Sequence, residues 1–417
     1  MKIWMVNHYA VSPRDPAGTR HAGLAHHLNA RGHSVTVIAS QFRHGSGASR
    51  PESASPVTWE RFGDVQFCWL RTPHYKGNSI GRLWNMLVFA YRVWTLSGAA
   101  ETPDIVYGST PSLFAALASY WAARRLRVPF VLEVRDIWPE TLFDMGVSRR
   151  HPLVLLLAAI ERYLYRNADT IVTVLPNAAP HMVARGASAN RIHWIPNGVE
   201  LDSAPWPAPC VGREEFVVMY AGAHGPANNL ETAVRAAAEL QRRGSRVRFR
   251  FVGSGASKES LVARASAEGL KNVSFEAPVP KSEVHQLLQQ ADALLVILKA
   301  MDVFSFGVSM NKLYDSMAAG RPILYAVRSS NCPVRDADCG LQVEPENPGA
   351  LADAIEMLAR LSAEQRWEMG LRGRRYVEAH HDLSKLAGKL ERILLDVTAD
   401  LHGKKTAARG EAGTCVN

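Results

Sequence analysis

The sequence predicts an α/β protein made of two doubly wound domains. Three observations predict it. Short apolar runs, suited to strands buried on both faces, alternate with helical patterns almost from end to end. The 417 residues exceed what one core usually serves. A proline- and turn-rich stretch, residues 196–215, parts two series of such runs and reads as the domain boundary. The expected division is 1–200, 201–383, a helix over 384–400 that covers one of the domains, and a mobile tail over 401–417.

In the first half "KIWMVN", "SVTVIA", "DIVYG", "FVLEVR", "TIVTVL" and "RIHWIPN" read as strands. After the first of them, "DPAGTRHAGLAHHLNARGH" joins a glycine turn to a helix. Gly18 lets backbone approach a ligand closely, and Thr19 and Arg20 can donate to an anion at the helix start; an ordinary β-α loop reads the same way. Residues 81–100 read as a helix bearing Trp84, Leu87, Phe89, Tyr91 and Trp94, together with Arg82 and Arg92. Core packing and contact with a membrane interface or a lipid-linked molecule both fit it. "LEVRDIWPE" places Glu133, Arg135, Asp136 and Glu140 where a strand ends. Asp136 is the candidate to position or deprotonate a hydroxyl, with Glu133 beside it, although Asp136 could equally cap the next turn.

The second half repeats the device with "FVVMYAG", "VRFRFVG", "VSFEAP", "ALLVIL" and "PILYAV" as strands. Gly222 and Gly225 follow the first of these, and Gly253 and Gly255 the second. Neither turn is a full dinucleotide fingerprint. In "SMNKLYDSMAAGRPIL", residues 309–324, Ser309 is the expected N-cap, Leu313 and Met317 lie four apart, and Gly320 before Pro322 ends the helix. Lys312 and Asp315 share a face near its positive end, as a surface ion pair or as a cradle for a diphosphate and a ribose or sugar hydroxyl. "DAD" at 336–338 has no further carboxylate or histidine nearby to complete a metal site.

The net charge of +9 is uneven: residues 1–200 hold 21 Lys+Arg against 13 Asp+Glu, and the remainder 27 against 26. No dense basic run or zinc-finger spacing accompanies it, so nucleic acid is not the expected partner. Five scattered cysteines, Cys68, Cys210, Cys332, Cys339 and Cys415, suit a reduced cytoplasmic setting better than a disulfide framework. The first ten residues read as a strand, not a signal peptide, and the longest apolar runs are about half the ~20 residues of a membrane span. A cytoplasmic protein, free or peripheral at the inner face of the membrane, is expected.

"GTRHAGLAHHLNARGHSVTVIAS", "EVRDIWPE", "IPNGVEL" and "GVSMNKLYDSMAAGRPIL" together resemble family 4 retaining glycosyltransferases of the GT-B fold. They are most similar to the branch of fucosamine transferases of O-antigen and capsule synthesis. The resemblance covers roughly residues 1–395. It implies two Rossmann-like domains facing across a cleft. It also implies transfer of a sugar from a nucleoside diphosphate donor, UDP by preference, to a lipid-linked saccharide acceptor, with retention and without an essential metal or other cofactor. Asp315 matches the second acid of an E-x7-E motif that holds the donor ribose. Ser309, Asn311 and Lys312 match the helix start near the diphosphate, Gly18, Thr19 and Arg20 the first glycine loop, and Asp136 a polar position beside the donor sugar. Gly222, Gly225 and Gly253 belong to the implied donor site, and residues around Val279 and Pro280 to base recognition. Two departures stand out. Gly307 occupies the place of the first acid, and the loop "AGAHGPANN" lacks an Arg/Lys clamp, so Lys299, Lys312 and Arg20 are expected to take over the phosphate charge. A nucleotide-sugar epimerase of similar architecture, or a non-catalytic sugar-nucleotide-binding partner, are the alternatives.

Overall fold

The computed structural model describes the chain except residues 16–19, 43–54, 76, 78–79, 97–100, 145, 211–213 and 413–417, with backbone alone for 401–412. It divides into two compact units, which part between Pro196 and Asn197. The first holds most of residues 1–196 together with the final helix, and the second holds Asn197–Leu383.

The first unit has an eight-stranded sheet: β1 (Lys2–Val6), β2 (Ser34–Ser40), β3 (Val57–Phe62), β4 (Val65–Leu70), β5 (Ile105–Ser109), β6 (Phe130–Val134), β7 (Thr170–Thr173) and β8 (Ile192–Trp194). Their order is β3-β4-β2-β1-β5-β6-β7-β8. Every pair is parallel except β3 with β4, a hairpin whose turn holds Gly63 at φ 62°. That hairpin is absent from the strands expected above. Its first strand mixes Thr, Glu and Arg with apolar residues and is only half-buried, as an antiparallel edge should be. Around the sheet run α1 (Arg20–Ala30), α2 (Ile80–Leu96), α3 (Leu113–Leu126), α4 (Glu140–Asp144), α5 (Pro152–Asn167) and α6 (Ala179–Ala184).

The second unit has six parallel strands, β9 (Phe216–Ala221), β10 (Val247–Val252), β11 (Val273–Glu276), β12 (Ala293–Ile297), β13 (Ile323–Ala326) and β14 (Gly340–Gln342), ordered β11-β10-β9-β12-β13-β14. Its helices are α7 (Leu230–Arg242), α8 (Lys258–Ala267), α9 (Val284–Leu288), α10 (Asn311–Ala318), α11 (Pro333–Asp336), α12 (Pro348–Arg360) and α13 (Ala363–His380). One face of the sheet packs Tyr220, Phe249, Phe251 and Ile297 against Ala233, Ala237 and Leu240 of α7 and Leu351 and Ile355 of α12.

Helix α14 (Leu383–Ala412) returns to the first unit, burying Leu386, Ala387, Leu390 and Leu394. The helix does not stop at 400, where the apolar period ends, but continues through residues 401–412, whose Ala, Lys and Arg have good helix propensity. Both units are therefore doubly wound α/β structures. In each, the strand order reverses direction beside the first strand, between β1 and β5 and between β9 and β12. Crevices at such reversals, outside the carboxyl ends of the strands, are where ligands bind in this architecture.

Candidate active site

The carboxyl edge of the first sheet is organised by Glu133, which is fully buried in β6. It accepts from Arg20 Nε (2.8 Å), His21 Nε2 (2.8 Å), Tyr107 Oη (2.8 Å) and Ser109 Oγ (2.5 Å). Asn7 Nδ2 donates to His21 Nδ1 at 3.1 Å, leaving Nε2–H as the donor to Glu133. Burial opposes a charge at Glu133, but His21 and Arg20 more than offset it and hold the carboxyl well below the usual carboxylate range. Arg20 also donates from Nη1 to the Pro196 carbonyl and from Nη2 to the Ile195 carbonyl. It is buried and its charge is paired with Glu133, so the expected phosphate contact from Arg20 is corrected to a structural one. Glu133 likewise has no free lone-pair direction for a substrate hydroxyl; it positions the edge of the sheet. Asp136, two residues past β6, is exposed. Burial of its surroundings nevertheless raises its carboxyl pKa, with Arg135 pulling the other way. Gly18 and Thr19 lie outside the described residues.

In the second unit the reversal between β9 and β12 holds Lys312. The α10 backbone begins at Asn311, and Nζ reaches back to Asn228 Oδ1 (2.5 Å), Tyr220 Oη (3.4 Å) and the Ile297 carbonyl (3.5 Å). Tyr220 is the penultimate residue of β9 and Ile297 the last of β12, so the ammonium stands at the switch point itself. Among the described residues no carboxylate pairs with it, and burial lowers its pKa to about 7. Tyr220 Oη and Asn228 Nδ2 both donate to the Ala223 carbonyl, and Lys299 N donates to the Ala227 carbonyl. These bonds brace the glycine loop around the lysine. The Lys299 side chain is exposed.

Asp315, one turn further along α10, is buried and pairs with Lys281 Nζ at 2.5 Å, with His285 Nε2 at 3.8 Å. The ion pair that the spacing of Lys312 and Asp315 allows does not form; Lys281 pairs with Asp315, and Asn228 takes Lys312. Ser309 is not the N-cap. Met310 holds that place without a capping side chain, and Ser309 Oγ instead accepts from Asn197 N (2.8 Å), while Asn197 Nδ2 donates to the Ser309 carbonyl. The first amides of α10, beginning at Asn311, thus lack a side-chain cap. Gly320, at φ 64°, ends the helix as expected.

The two glycine turns meet backbone to backbone. His224 N donates to the Ser254 carbonyl and Ser257 N to the His224 carbonyl. A Cβ at Gly253 would run into the Gly222 carbonyl, and one at Gly255 would come within 2.6 Å of His224 backbone. Gly225, at φ −97°, carries no such requirement. His224 is wholly buried between the turns, neither ring nitrogen has a partner of good geometry, and burial, then Lys258, push its imidazole down to about 4. Asp336 and Asp338 pair with Arg335 and Arg372.

Comparison with known proteins gives the family and the fold. Residues 17–198 match the family described as Glycosyl transferase 4-like domain, and residues 215–360 match Glycosyl transferases group 1. The chain belongs to the family 4 type of GT-B glycosyltransferases. It is similar to the probable glycosyltransferase WbjE of Pseudomonas aeruginosa, at 26% identity over 66% of this chain and 70% of that protein. It is also similar to the putative colanic acid biosynthesis glycosyl transferase WcaI of Escherichia coli, at 24% identity over 70% and 75%. Among solved structures, Anabaena HepE in complex with UDP and glucose aligns over 95% of this chain and 100% of that one, with a TM-score of 0.65 at 14% identity. In this glycosyltransferase the sequence signal missed Tyr220, Asn228, Lys281 and His285, which come from β9, two 3-10 turns and α9, all distant from α10 in the chain.

Proposed function

We propose that the second unit binds a nucleoside diphosphate sugar, with UDP as the nucleotide, and that the enzyme transfers the sugar with retention to a hydroxyl of a lipid-linked saccharide during bacterial surface polysaccharide synthesis. The observation that carries the donor reading is Lys312: a half-buried lysine with no carboxylate partner among the described residues, beside uncapped helix amides, at the switch point of the sheet. An anionic diphosphate supplies the charge that the protein withholds. Asp315, oriented by Lys281, accepts from ribose hydroxyls. UDP comes to the reading from the similarity to HepE, and polysaccharide synthesis from the similarity to WcaI.

As the bond from the anomeric carbon to the diphosphate oxygen breaks, negative charge grows on the leaving phosphate, where Lys312 and the α10 amides act. The acceptor oxygen forms its bond on the same face. Its proton passes to the leaving phosphate. The reading includes no essential metal. The test is thermal stabilisation by UDP, GDP, dTDP and CMP, with and without a chelator, in the native protein and in Lys312→Ala and Asp315→Ala. A nucleotide at 100 times its Kd adds roughly 2.7 kcal/mol. A shift with UDP that vanishes in both variants and survives the chelator supports the reading; no shift with any nucleotide overturns it.

A further inference from the structure

Helix α2 turns an apolar stripe outward. Ile80, Trp84, Leu87, Tyr91 and Trp94 recur at helical spacing and are all exposed, from 39% for Leu87 to 87% for Ile80. The opposite face buries Asn85, Phe89, Val93 and Leu96, so the core is served without the stripe. Beside it, α3 exposes Trp121, which stacks on Tyr163 of α5 at 6.0 Å. A groove of about 690 Å³ lies between α2 and α3, walled by Tyr91, Trp94, Phe114 and Trp121 and edged by Arg124 and Arg125. The Arg125 guanidinium stands 5.7 Å from the Trp94 ring centroid.

The charge on the two helices has one sign, with Asp169 beside Arg124 at the margin. Arg82 and Arg92 on α2 and Arg124 and Arg125 on α3 are the charged residues of the two helices, and neither helix contains Asp or Glu. An exposed apolar patch of this size marks an interaction surface. Tryptophan and tyrosine with arginine, and no acid on either helix, is the chemistry of the boundary between headgroups and acyl chains of anionic lipids. A second copy of the chain would bring the same positive charges to the contact and be repelled. Among the described residues no helix is long and apolar enough to cross a membrane, so this contact is interfacial.

We infer that the α2–α3 face docks on an anionic lipid surface, with Trp84, Tyr91 and Trp94 in the headgroup boundary and Arg124 and Arg125 at the phosphates. The inference gives the proposed lipid-linked acceptor a place to be met, but the docking is measured with neither donor nor acceptor, so the two readings fail separately.

The experiment is sedimentation of the full-length protein with phosphatidylcholine vesicles, with and without phosphatidylglycerol, at low and high salt. The expected result is binding that needs phosphatidylglycerol and weakens with salt. It should fall by roughly tenfold or more in Arg124→Glu with Arg125→Glu, and likewise in Trp84→Ser with Trp94→Ser. Unchanged melting temperature and unchanged UDP-induced stabilisation in the variants show that they fold. Wild-type protein that ignores anionic vesicles, or tryptophan variants that bind them equally well, overturns the inference. So does light scattering that finds a dimer which Trp84→Ser with Trp94→Ser dissolves, since a second copy then covers the face. Vesicle binding without any nucleotide-induced shift leaves the docking standing and removes the donor reading alone.

Discussion

Lys312 concentrates the conflict between stability and ligand binding in one side chain. Its pKa falls from 10.5 to about 7 because burial disfavours the ammonium. Between those two values an unfolded chain binds a proton that the folded chain does not, so stability from this residue rises as pH climbs through that window, and the full penalty is present below about 7. Lys312→Met, close in volume and uncharged, is therefore expected to raise the melting temperature of the ligand-free protein at neutral and mildly acidic pH while abolishing the UDP-induced shift. A melting temperature that falls would show that the ammonium is already compensated. Affinity has the opposite sign. A diphosphate needs the charged lysine, so its Kd should weaken as pH rises above about 7, by up to roughly tenfold per pH unit, and Lys312→Arg should flatten that dependence. Titration calorimetry across neutral pH reads both. In the first unit, Glu133→Gln leaves the buried Arg20 without its counter-charge. Removing one partner of such a pair typically costs about 3–5 kcal/mol, which denaturant unfolding measures; a loss within ordinary surface values would mean that the other donors to Glu133 organise this edge without its charge.

At the level of elements, the glycine turns and α10 form the site by backbone geometry. Gly255→Ala puts a Cβ within 2.6 Å of His224 backbone at φ 154°, so it should destabilise by more than about 1 kcal/mol and weaken nucleotide binding. Gly225→Ala, with its ordinary φ and open surroundings, should change neither, and equal effects at both positions would refute the packing argument. Gly307 has the same logic. It sits at φ 94° after a short 3-10 turn, a conformation that strains any side chain, so an acid cannot simply be restored there. The strands of both parallel series other than β4 and the three-residue β14, together with the α10 helix and its terminal glycine, were legible in the sequence, because apolar runs, i to i+3 spacing and a left-handed terminus are local signals. Ser309 misled because a serine before a helix has two uses, and here Asn197 claims it. The partners of Lys312 and Asp315 were not legible. Tyr220 lies 92 residues from Lys312 and Lys281 lies 34 from Asp315; the β9–β12 neighbour relation brings the first pair together, and the packing of α9 on α10 the second. Arg20 shows the reverse failure: an arginine at a helix start reads as an anion donor until a glutamate 113 residues away proves to have claimed it.

On the scale of the whole molecule, the chain order and the unit order differ. The last helix leaves the second unit at Leu383 and closes on the first, where Arg31 Nη2 donates to the Ser384 carbonyl, His33 Nε2 meets Glu391 at 2.8 Å and Thr398 reaches Met1. Its buried stripe, with Leu386, Leu390 and Leu394 at 1% exposure or less, belongs to the first unit although the sequence places it after the second. Leu390→Ala should therefore cost about 2–5 kcal/mol, and the loss should fall on one unit. Hydrogen exchange should lose protection in β1, β2 and the end of α1, the elements flanking Met1, Arg31 and His33 that α14 holds, while β9 and β12 keep theirs. The UDP-induced shift should survive, because Lys312, Asn228 and Asp315 all belong to the second unit. Loss of protection in β9 and β12 to the same degree would mean that the two units unfold as one and that α14 serves both.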